Sequence, residues 1–512
     1  MSEIRLRAIG LGIAHQITKA NPHESLRGLA FVASCKSSAQ ELRSCAGGEK
    51  IRRLLCTMHN NPPLKVITYF VILPIDYCAQ RTEREKFMKL LIIGAGGVGT
   101  AAAMIIKKAG KEGDWAEKIV VSDYNFDRAK EVAEKICGGG KYIAAKVDAG
   151  NADSIKSLIK EHGITFVMNA VEPLFNECIF DTCLAEKVGY IDCAMTLSKP
   201  HPDKPFEKCG VKLGDYQFAK DEAWKKAGNM AICGSGVEPG VVNVFAKYAA
   251  NHLFDKIDEV NIRDGDNYSG DDIGYFGFSV WTTIEECLNP PIVWDKAKGG
   301  WHTTENFSEP EIFNFPGGIG DVEVINIEHE EVIMVPRAID CNRVTFKFGV
   351  PRETRQLLSF LRDLGLDEAN KKTKVGESEI APRDFLVKVI PNPVESTMKM
   401  VGKGCAGAWI TGEKDGLKRS VYIYQVSDNQ DCIKKYSTNS VVSQTAIGPV
   451  IMMELAAKGI WDIKGVQIPE NFDPDPFMER MAKYDFPAGI REMDSPYADM
   501  LNEKAILNSL KK

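Results

Sequence analysis

The run Met88-Lys-Leu-Leu-Ile-Ile93 leads straight into Gly94-Ala-Gly-Gly-Val-Gly99, and Thr100-Ala-Ala-Ala-Met-Ile-Ile-Lys-Lys-Ala109 follows. An apolar run, a glycine turn and a helix-favouring segment in that order is the opening of a nucleotide-binding α/β layer, and few other folds accommodate it. In such a turn Gly94 permits the tight bend, Gly96 lets the backbone approach a pyrophosphate, and Gly99 lets the helix pack on the strand. Ala95, Gly97 and Val98 complete the loop. The helix N-terminus adds unpaired N–H groups and the positive end of its dipole. These six residues are the predicted cofactor-binding loop.

The next strand-like run is Lys118-Ile-Val-Val-Ser-Asp123. An acidic residue about 20 positions past the glycines binds ribose hydroxyls and repels a 2′-phosphate, so Asp123 favours NAD(H) over NADP(H). Arg128 is the counter-observation, a cation able to accept that phosphate and to keep NADP(H) open. It is expected as a solvated charge on a helix over 127–136. Strands over 142–148, 165–169 and 190–192 alternate with helices over 152–162 and 176–188, which implies a parallel, doubly wound sheet. Asn169 and Ala170 end one strand and Asp192 another. Both ends fall at the carboxyl edge, where such sheets bind ligands, and Asp192 reads equally as a loop cap.

Charge divides the chain of 512 residues unevenly. Residues 1–87 carry 13 Lys and Arg against 7 Asp and Glu, and the remainder 51 against 63, for a net −6. The acidic remainder argues against a nucleic-acid partner, which needs a basic footprint. The apolar run 66–73 is too short to span a bilayer, so no membrane partner is expected. Arg-rich and acid-poor, 1–87 reads as an organellar leader or as sequence outside the native protein. Strand-like Met88 is the expected start of translation, and the intact mass of natively expressed protein decides. The 14 cysteines are irregularly spaced and read as reduced thiols of a cytoplasmic protein, with no metal site.

Several ordered blocks resemble the saccharopine dehydrogenase family, with its lysine 6-dehydrogenase and carboxynorspermidine synthase types. They are Gly94–Gly99, Val167-Met-Asn-Ala170, Tyr190-Ile-Asp192, Gly234-Ser-Gly-Val-Glu-Pro-Gly240 with Val241-Val-Asn-Val-Phe245, Tyr248–Asp255, Glu328-His-Glu-Glu331, Lys414–Tyr424 and Asp473-Pro-Asp-Pro-Phe477. The resemblance covers 88–490. It implies a Rossmann doubly wound parallel sheet with an inserted α/β substrate domain, and nicotinamide-dependent hydride transfer at a C–N bond of an amino acid or imine. It also implies a helical return of the chain to the Rossmann domain, giving 88–235, 236–440 and 441–512 as units, and a homodimer. Family members reducing saccharopine or carboxynorspermidine precursors are typically NADPH-linked and end the second strand in Ser or Arg then Thr. Ser122-Asp123 departs from that. Carboxynorspermidine synthase, a reductive condensation of a diamine with aspartate semialdehyde, is the alternative activity. A catalytically silent nucleotide-binding protein is the alternative of another class.

Beyond Gly240 the pattern shifts to alternation over 259–263, 322–328, 343–348, 408–411 and 420–424, and Glu413-Lys-Asp-Gly416 is a hairpin turn. A mixed or antiparallel sheet is expected, with a helix over 450–458 after it. An amino-acid or amine substrate needs a cation for its carboxylate, for which Arg263, Arg337 and Arg343 are candidates. It needs an anion for its ammonium, for which Asp264 and Asp266 are candidates. Proton transfer is assigned to His329, between Glu328 and Glu330. The resemblance places Glu238 on a substrate-facing loop and so adds it, with Asp192, to the catalytic candidates. Trp281, Trp294 and Trp301 are expected to pack.

Overall fold

The computed structural model describes residues 88–510 except 271–278, 370 and 391–396, so the expectations for 1–87 lie outside the described residues. In chain order the first strands are β1 (Met88–Ile93), β2 (Ala116–Asp123), β3 (Tyr142–Lys146), β4 (Phe166–Asn169), β5 (Gly189–Asp192) and β6 (Met230–Ile232). The second set is β7 (Lys256–Asp266), β8 (Ile292–Asp295), β9 (Gly300–Thr303), β10 (Glu311–Phe315), β11 (Gly320–Asn326) and β12 (Arg343–Phe348). It continues with β13 (Thr373–Val375), β14 (Ser378–Ile380), β15 (Lys403–Lys414) and β16 (Leu417–Asp428). Finally come β17 (Gly465–Gln467) and β18 (Ala488–Glu492).

One sheet is parallel throughout, in the order β17-β6-β5-β4-β1-β2-β3. β4 and β5 are buried at every position and β1 at all but Lys89. Helices cover both faces of such a sheet, which is why its strands are unbroken apolar runs. This is the doubly wound layer that the sequence implies. The second sheet runs β10-β11-β12-β7-β15-β16-β18, with β8 and β9 beside β12. Its β12–β7 pair is parallel and the other pairs are antiparallel, so it is mixed. Asp264 of β7 stands level with Phe348 of β12 and Ala406 of β15, and Asp266 stands level with Gly404. The segment after the second sheet supplies a strand to each sheet, β17 to the first and β18 to the second.

The helix expected over 450–458 starts ten residues earlier, as Ser440–Ala457, where Asn439 caps it by accepting the Val442 N–H at 2.9 Å. Gly448 and Pro449 look like a break in sequence, yet they lie inside it. The reason is packing: a Cβ on Gly448 would fall 2.2 Å from the Ser235 carbonyl oxygen and 2.4 Å from that of Gly236. The same helix lays Val442 against Gly97, whose Cβ would meet it at 3.1 Å, and Thr445 against Gly236. One rigid element thus touches both the glycine loop and the loop that carries Glu238. It is long and apolar enough to cross a membrane, but it is largely buried inside the fold.

Candidate active site

The glycine loop has the expected geometry. Gly94 adopts φ +105°, a conformation that L side chains rarely take, and its Cβ would lie 2.6 Å from the Ala170 carbonyl oxygen. A Cβ on Gly99 would lie 1.9 Å from the Gly94 carbonyl oxygen, whereas one on Gly96 would meet nothing within 4 Å. The loop is therefore closed against the fold on one side and open at Gly96, at the start of helix Gly97–Lys108, which is the shape a pyrophosphate requires. Asp123 stands beside it, accepting the Ala95 N–H at 2.8 Å through Oδ2 and the Asn125 N–H at 2.8 Å through Oδ1. A carboxylate has further lone pairs, so these bonds orient it without exhausting it.

Arg128 corrects the sequence reading. It sits on a short helix, Phe126–Lys130, that continues into a wider π-helical turn, Glu131–Ile136. Rather than pointing into solvent, its Nε donates to the Ala95 carbonyl at 2.9 Å, one guanidinium nitrogen to Thr100 Oγ1 at 3.3 Å and the other to Glu131 at 2.7 Å. Both sides of Ala95 are thereby pinned, the N–H by Asp123 and the carbonyl by Arg128.

Asn169 and Asp192 are bonded inward. Asn169 Nδ2 donates to Asn176 Oδ1 at 2.7 Å and meets the Tyr190 hydroxyl at 3.1 Å, and its Oδ1 accepts the Val171 N–H at 3.2 Å. Ala170 donates its N–H to the Ile93 carbonyl at 2.9 Å, which holds the neighbouring strand end against β1. Asp192, 1 % exposed, accepts from Tyr190, from Gln217 at 2.6 Å and from the Gly234 N–H at 2.7 Å, while its own carbonyl accepts from Ser235. Burial pushes its carboxyl up to about 7. Its geometry is that of a positioning residue for the loop 234–240.

That loop forms one wall of a cavity of about 390 Å³. Glu238 lines it together with Asp264 and Asp266 of β7, Tyr268, and Val441 and Gln444 of the helix that also packs on the glycine loop. Glu353 lies at its exposed rim. Enclosure raises Asp264 to about 7 and Asp266 to about 6, and enclosure beside Asp264 holds Glu238 well above the ordinary carboxylate range. Among the described lining residues there is no Lys, Arg or His.

The three arginine candidates are therefore corrected. Successive strand residues face opposite ways, so Arg263 points away from Asp264. It is spent on Glu311 at 2.5 Å, Thr345 at 3.0 Å and the Ile262 carbonyl at 2.8 Å. Arg337 lies over the Phe218 ring at 3.9 Å, with Asp215 3.7 Å away, and Arg343 grips Glu309 through one nitrogen at 2.6 and 2.7 Å. None of them lines the cavity.

His329 also differs from the expectation of a group at the reacting centre. It is buried, stacked on Phe346 with ring centroids 3.9 Å apart, and its Nδ1 lies 2.6 Å from Glu331 and 3.5 Å from Glu330. Burial pulls its pKa down, but the Glu331 carboxylate outweighs this and raises it to about 10, so the ring is an imidazolium at neutral pH. It supports Asp264 electrostatically from behind the wall. Sequence reading missed Glu331, Glu286, Tyr268 and Gln444 as neighbours of this site. Only Glu331 carried a signal, in the acidic block around His329.

Open glycine loop, pinned Asp123 and a separate cavity reached by a shared helix define a pyridine-nucleotide oxidoreductase with its own substrate domain. Two family profiles match consecutive parts of the chain: the saccharopine dehydrogenase NADP binding domain over 90–232 and the saccharopine dehydrogenase C-terminal domain over 236–486. The chain belongs to the saccharopine dehydrogenase family, whose members are oxidoreductases acting on C–N groups. A carboxynorspermidine synthase from Vibrio alginolyticus is 29% identical over 416 residues, 80% of this chain and 98% of the relative. A carboxyaminopropylagmatine dehydrogenase from Synechocystis is 27% identical over 404 residues, 78% of this chain and 96% of the relative. The apo saccharopine dehydrogenase (L-Glu forming) of Saccharomyces cerevisiae shares the fold, with TM-score 0.54 and 12% identity over 80% of this chain and all of that one.

Proposed function

We propose that the chain transfers hydride at the C–N bond of a cationic amine substrate, a di- or polyamine joined to a carboxylated carbon chain, with NAD(H) as the preferred nucleotide. The observation that carries this is the cavity, whose charged lining residues among those described are all carboxylates: Glu238, Asp264, Asp266 and Glu353. An amine protonated at neutral pH finds its counter-charges there, and a substrate that is mainly anionic does not. Both curated relatives are named for carboxy-substituted amines, in keeping with that chemistry.

The glycine loop would hold the pyrophosphate at Gly96 and Gly97, and Asp123 the ribose. When bound, the dihydronicotinamide supplies the hydride, and its oxidised form accepts one in reverse. The chain's own residues do the rest. Asp264 and Glu238 stabilise the protonated C=N–H⁺ group, which is a better hydride acceptor than the neutral imine. The His329–Glu331 pair holds the wall behind them, and Asp192 fixes the loop from which Glu238 projects. Asp123 is the ground for preferring NAD(H), because its carboxylate opposes a 2′-phosphate.

The test is a nicotinamide-coupled absorbance screen of the full-length protein, run in both directions. The panel contains lysine, saccharopine, and linear diamines paired with a carboxylated aldehyde. Turnover of a diamine pair, or oxidation of its product, is expected. Turnover confined to lysine or saccharopine would overturn the amine reading.

A further inference from the structure

The cavity wall holds more acid than one ammonium neutralises. Glu238 comes from the loop before helix Val241–His252 and Asp264 from β7, and their carboxyl groups lie within hydrogen-bonding range of each other. An ionised carboxylate only accepts, so two of them bond only while one keeps a proton. No donor among the described residues replaces that proton at Glu238, whose Oε2 is shut off from solvent without a partner. The groups facing the pair from neighbouring elements are Asp266 on the same strand, Tyr268 just after it, Cys405 of β15, Tyr422 of β16, Glu286 on helix Val280–Leu288, and His329 and Glu331 at the start of helix Glu331–Ala338. The one cation among them, His329, is already matched by Glu331 at 2.6 Å.

We propose that Glu238 and Asp264 share a proton while the cavity is empty and surrender it when a primary ammonium arrives, so that amine binding is coupled to proton release. This rests on the reading of the substrate as a cationic amine. The ammonium keeps its three hydrogens and donates to both carboxylates, the shared proton passes to solvent, and no covalent bond to carbon or nitrogen changes. A cation at hydrogen-bond distance lowers a carboxyl by roughly one to three pH units. Enclosure holds Asp264 at about 7, so that effect ionises Asp264 at neutral pH and the pair gives up one proton, while Glu238, held higher still, is the last to ionise. The free pair holds its proton more firmly at lower pH, and proton and ammonium compete. Amine affinity therefore rises with pH through the neutral range and levels off once the pair has ionised without help.

Isothermal titration of the full-length protein, saturated with nucleotide, with linear α,ω-diamines of three to five carbons tests this. Pairs of buffers that differ in ionisation enthalpy report the protons exchanged. Near pH 6.5 the expected release is about half to one proton per diamine, and affinity is expected to rise about tenfold between pH 6 and 8. Glu238→Gln, checked for unchanged nucleotide affinity, is expected to bind diamine more weakly, with little proton release and a flat pH profile. Asp264→Asn is expected to do the same. Diamine binding to the unmutated protein with no proton release and a flat profile would overturn the proposal and leave the amine reading standing. No diamine binding at any pH, with lysine or saccharopine binding instead, would remove both.

Discussion

Alanine at Gly99 and alanine at Gly96 should both weaken nucleotide binding, but only the first should also destabilise the fold, although the two glycines lie in one loop three residues apart. A Cβ on Gly99 would sit 1.9 Å from the Gly94 carbonyl oxygen and 3.2 Å from Ile92 Cγ2, where real Cβ contacts stay beyond 3.0 Å. Helix Gly97–Lys108 must then move off β1 by at least about 1 Å. It has nowhere to go, because Val442 on the facing helix already stands 3.1 Å from the Cβ position of Gly97. Overpacking of this kind costs about 1 to 3 kcal/mol, and a shift of about 1 Å also misplaces the N–H groups meant for the pyrophosphate, enough for a loss of about 100-fold in rate. Gly96 has φ −70° and free space around its Cβ position, so alanine there leaves the fold intact and intrudes only where phosphate would approach. Thermal melting without ligand and nucleotide titration by fluorescence separate the two. Gly99→Ala should lose several degrees of melting temperature together with nucleotide affinity, and Gly96→Ala should lose affinity alone. Wild-type nucleotide affinity in Gly99→Ala would refute the packing argument, and a lowered melting temperature in Gly96→Ala would refute the assignment of that open space to the ligand.

Asp123→Ser should raise the ratio of kcat/KM for NADP(H) over NAD(H) by about tenfold or more while weakening both, since the Ala95 N–H loses its acceptor; an unchanged ratio would disconnect Asp123 from the ribose. Burial raises Asp192 to about 7, Glu328 to about 7 and Glu470 to about 7, and it raises Glu286 to about 8. A carboxyl raised in the folded state contributes stability while protonated and loses it as pH climbs through that value. His329 has the same sign, its contribution being full below its ordinary 6.5 and lost as pH climbs through about 10. The melting temperature should therefore fall from pH 6 to pH 9, and a rise over that window would contradict the burial of these groups. Arg263→Ala should destabilise the protein by roughly 1 to 3 kcal/mol in chemical denaturation, by removing its buried hydrogen bonds to Thr345 and Glu311, while Lys347 at 2.7 Å still pairs with Glu311. The amine KM of the folded fraction should not change, and a selective rise in KM would return Arg263 to the substrate.

The nucleotide-binding layer was legible because its central strands β1, β4 and β5 are buried on both faces and appear as short apolar runs, with clean punctuation between them. The helix Ala152–His162 has the bounds read from sequence, since Asn151 caps it and Gly163 ends it in a left-handed conformation. The helix Ser440–Ala457 was read short because Gly448 and Pro449 mimic a terminus. Glycine at 448 is demanded by the closeness of the Ser235 and Gly236 carbonyls, a tertiary fact with no local signature. Alternation along β7 placed Arg263 and Asp264 on opposite faces, but sequence does not say which face borders a cavity. The acids around Asp264 come from the loop 236–240, β7, helix Val280–Leu288 and helix Glu331–Ala338. Packing alone gathers them, so no spacing within any one element could announce the site. In the sequence His329 stands out only by the acidic residues on either side of it. The ion pair with Glu331 that makes it an imidazolium depends on a buried geometry that residue order does not specify.

The central claim is that the carboxylate-lined cavity holds an amine for hydride transfer. It is tested most directly by the nicotinamide-coupled rate with the best diamine-derived substrate, compared between the unmutated protein and Asp264→Asn, with nucleotide affinity measured alongside. kcat/KM for the amine is expected to fall about 10- to 100-fold, the loss of one buried charge-assisted hydrogen bond, while nucleotide affinity is unchanged. An Asp264→Asn protein that turns over the amine at the unmutated rate would contradict the claim.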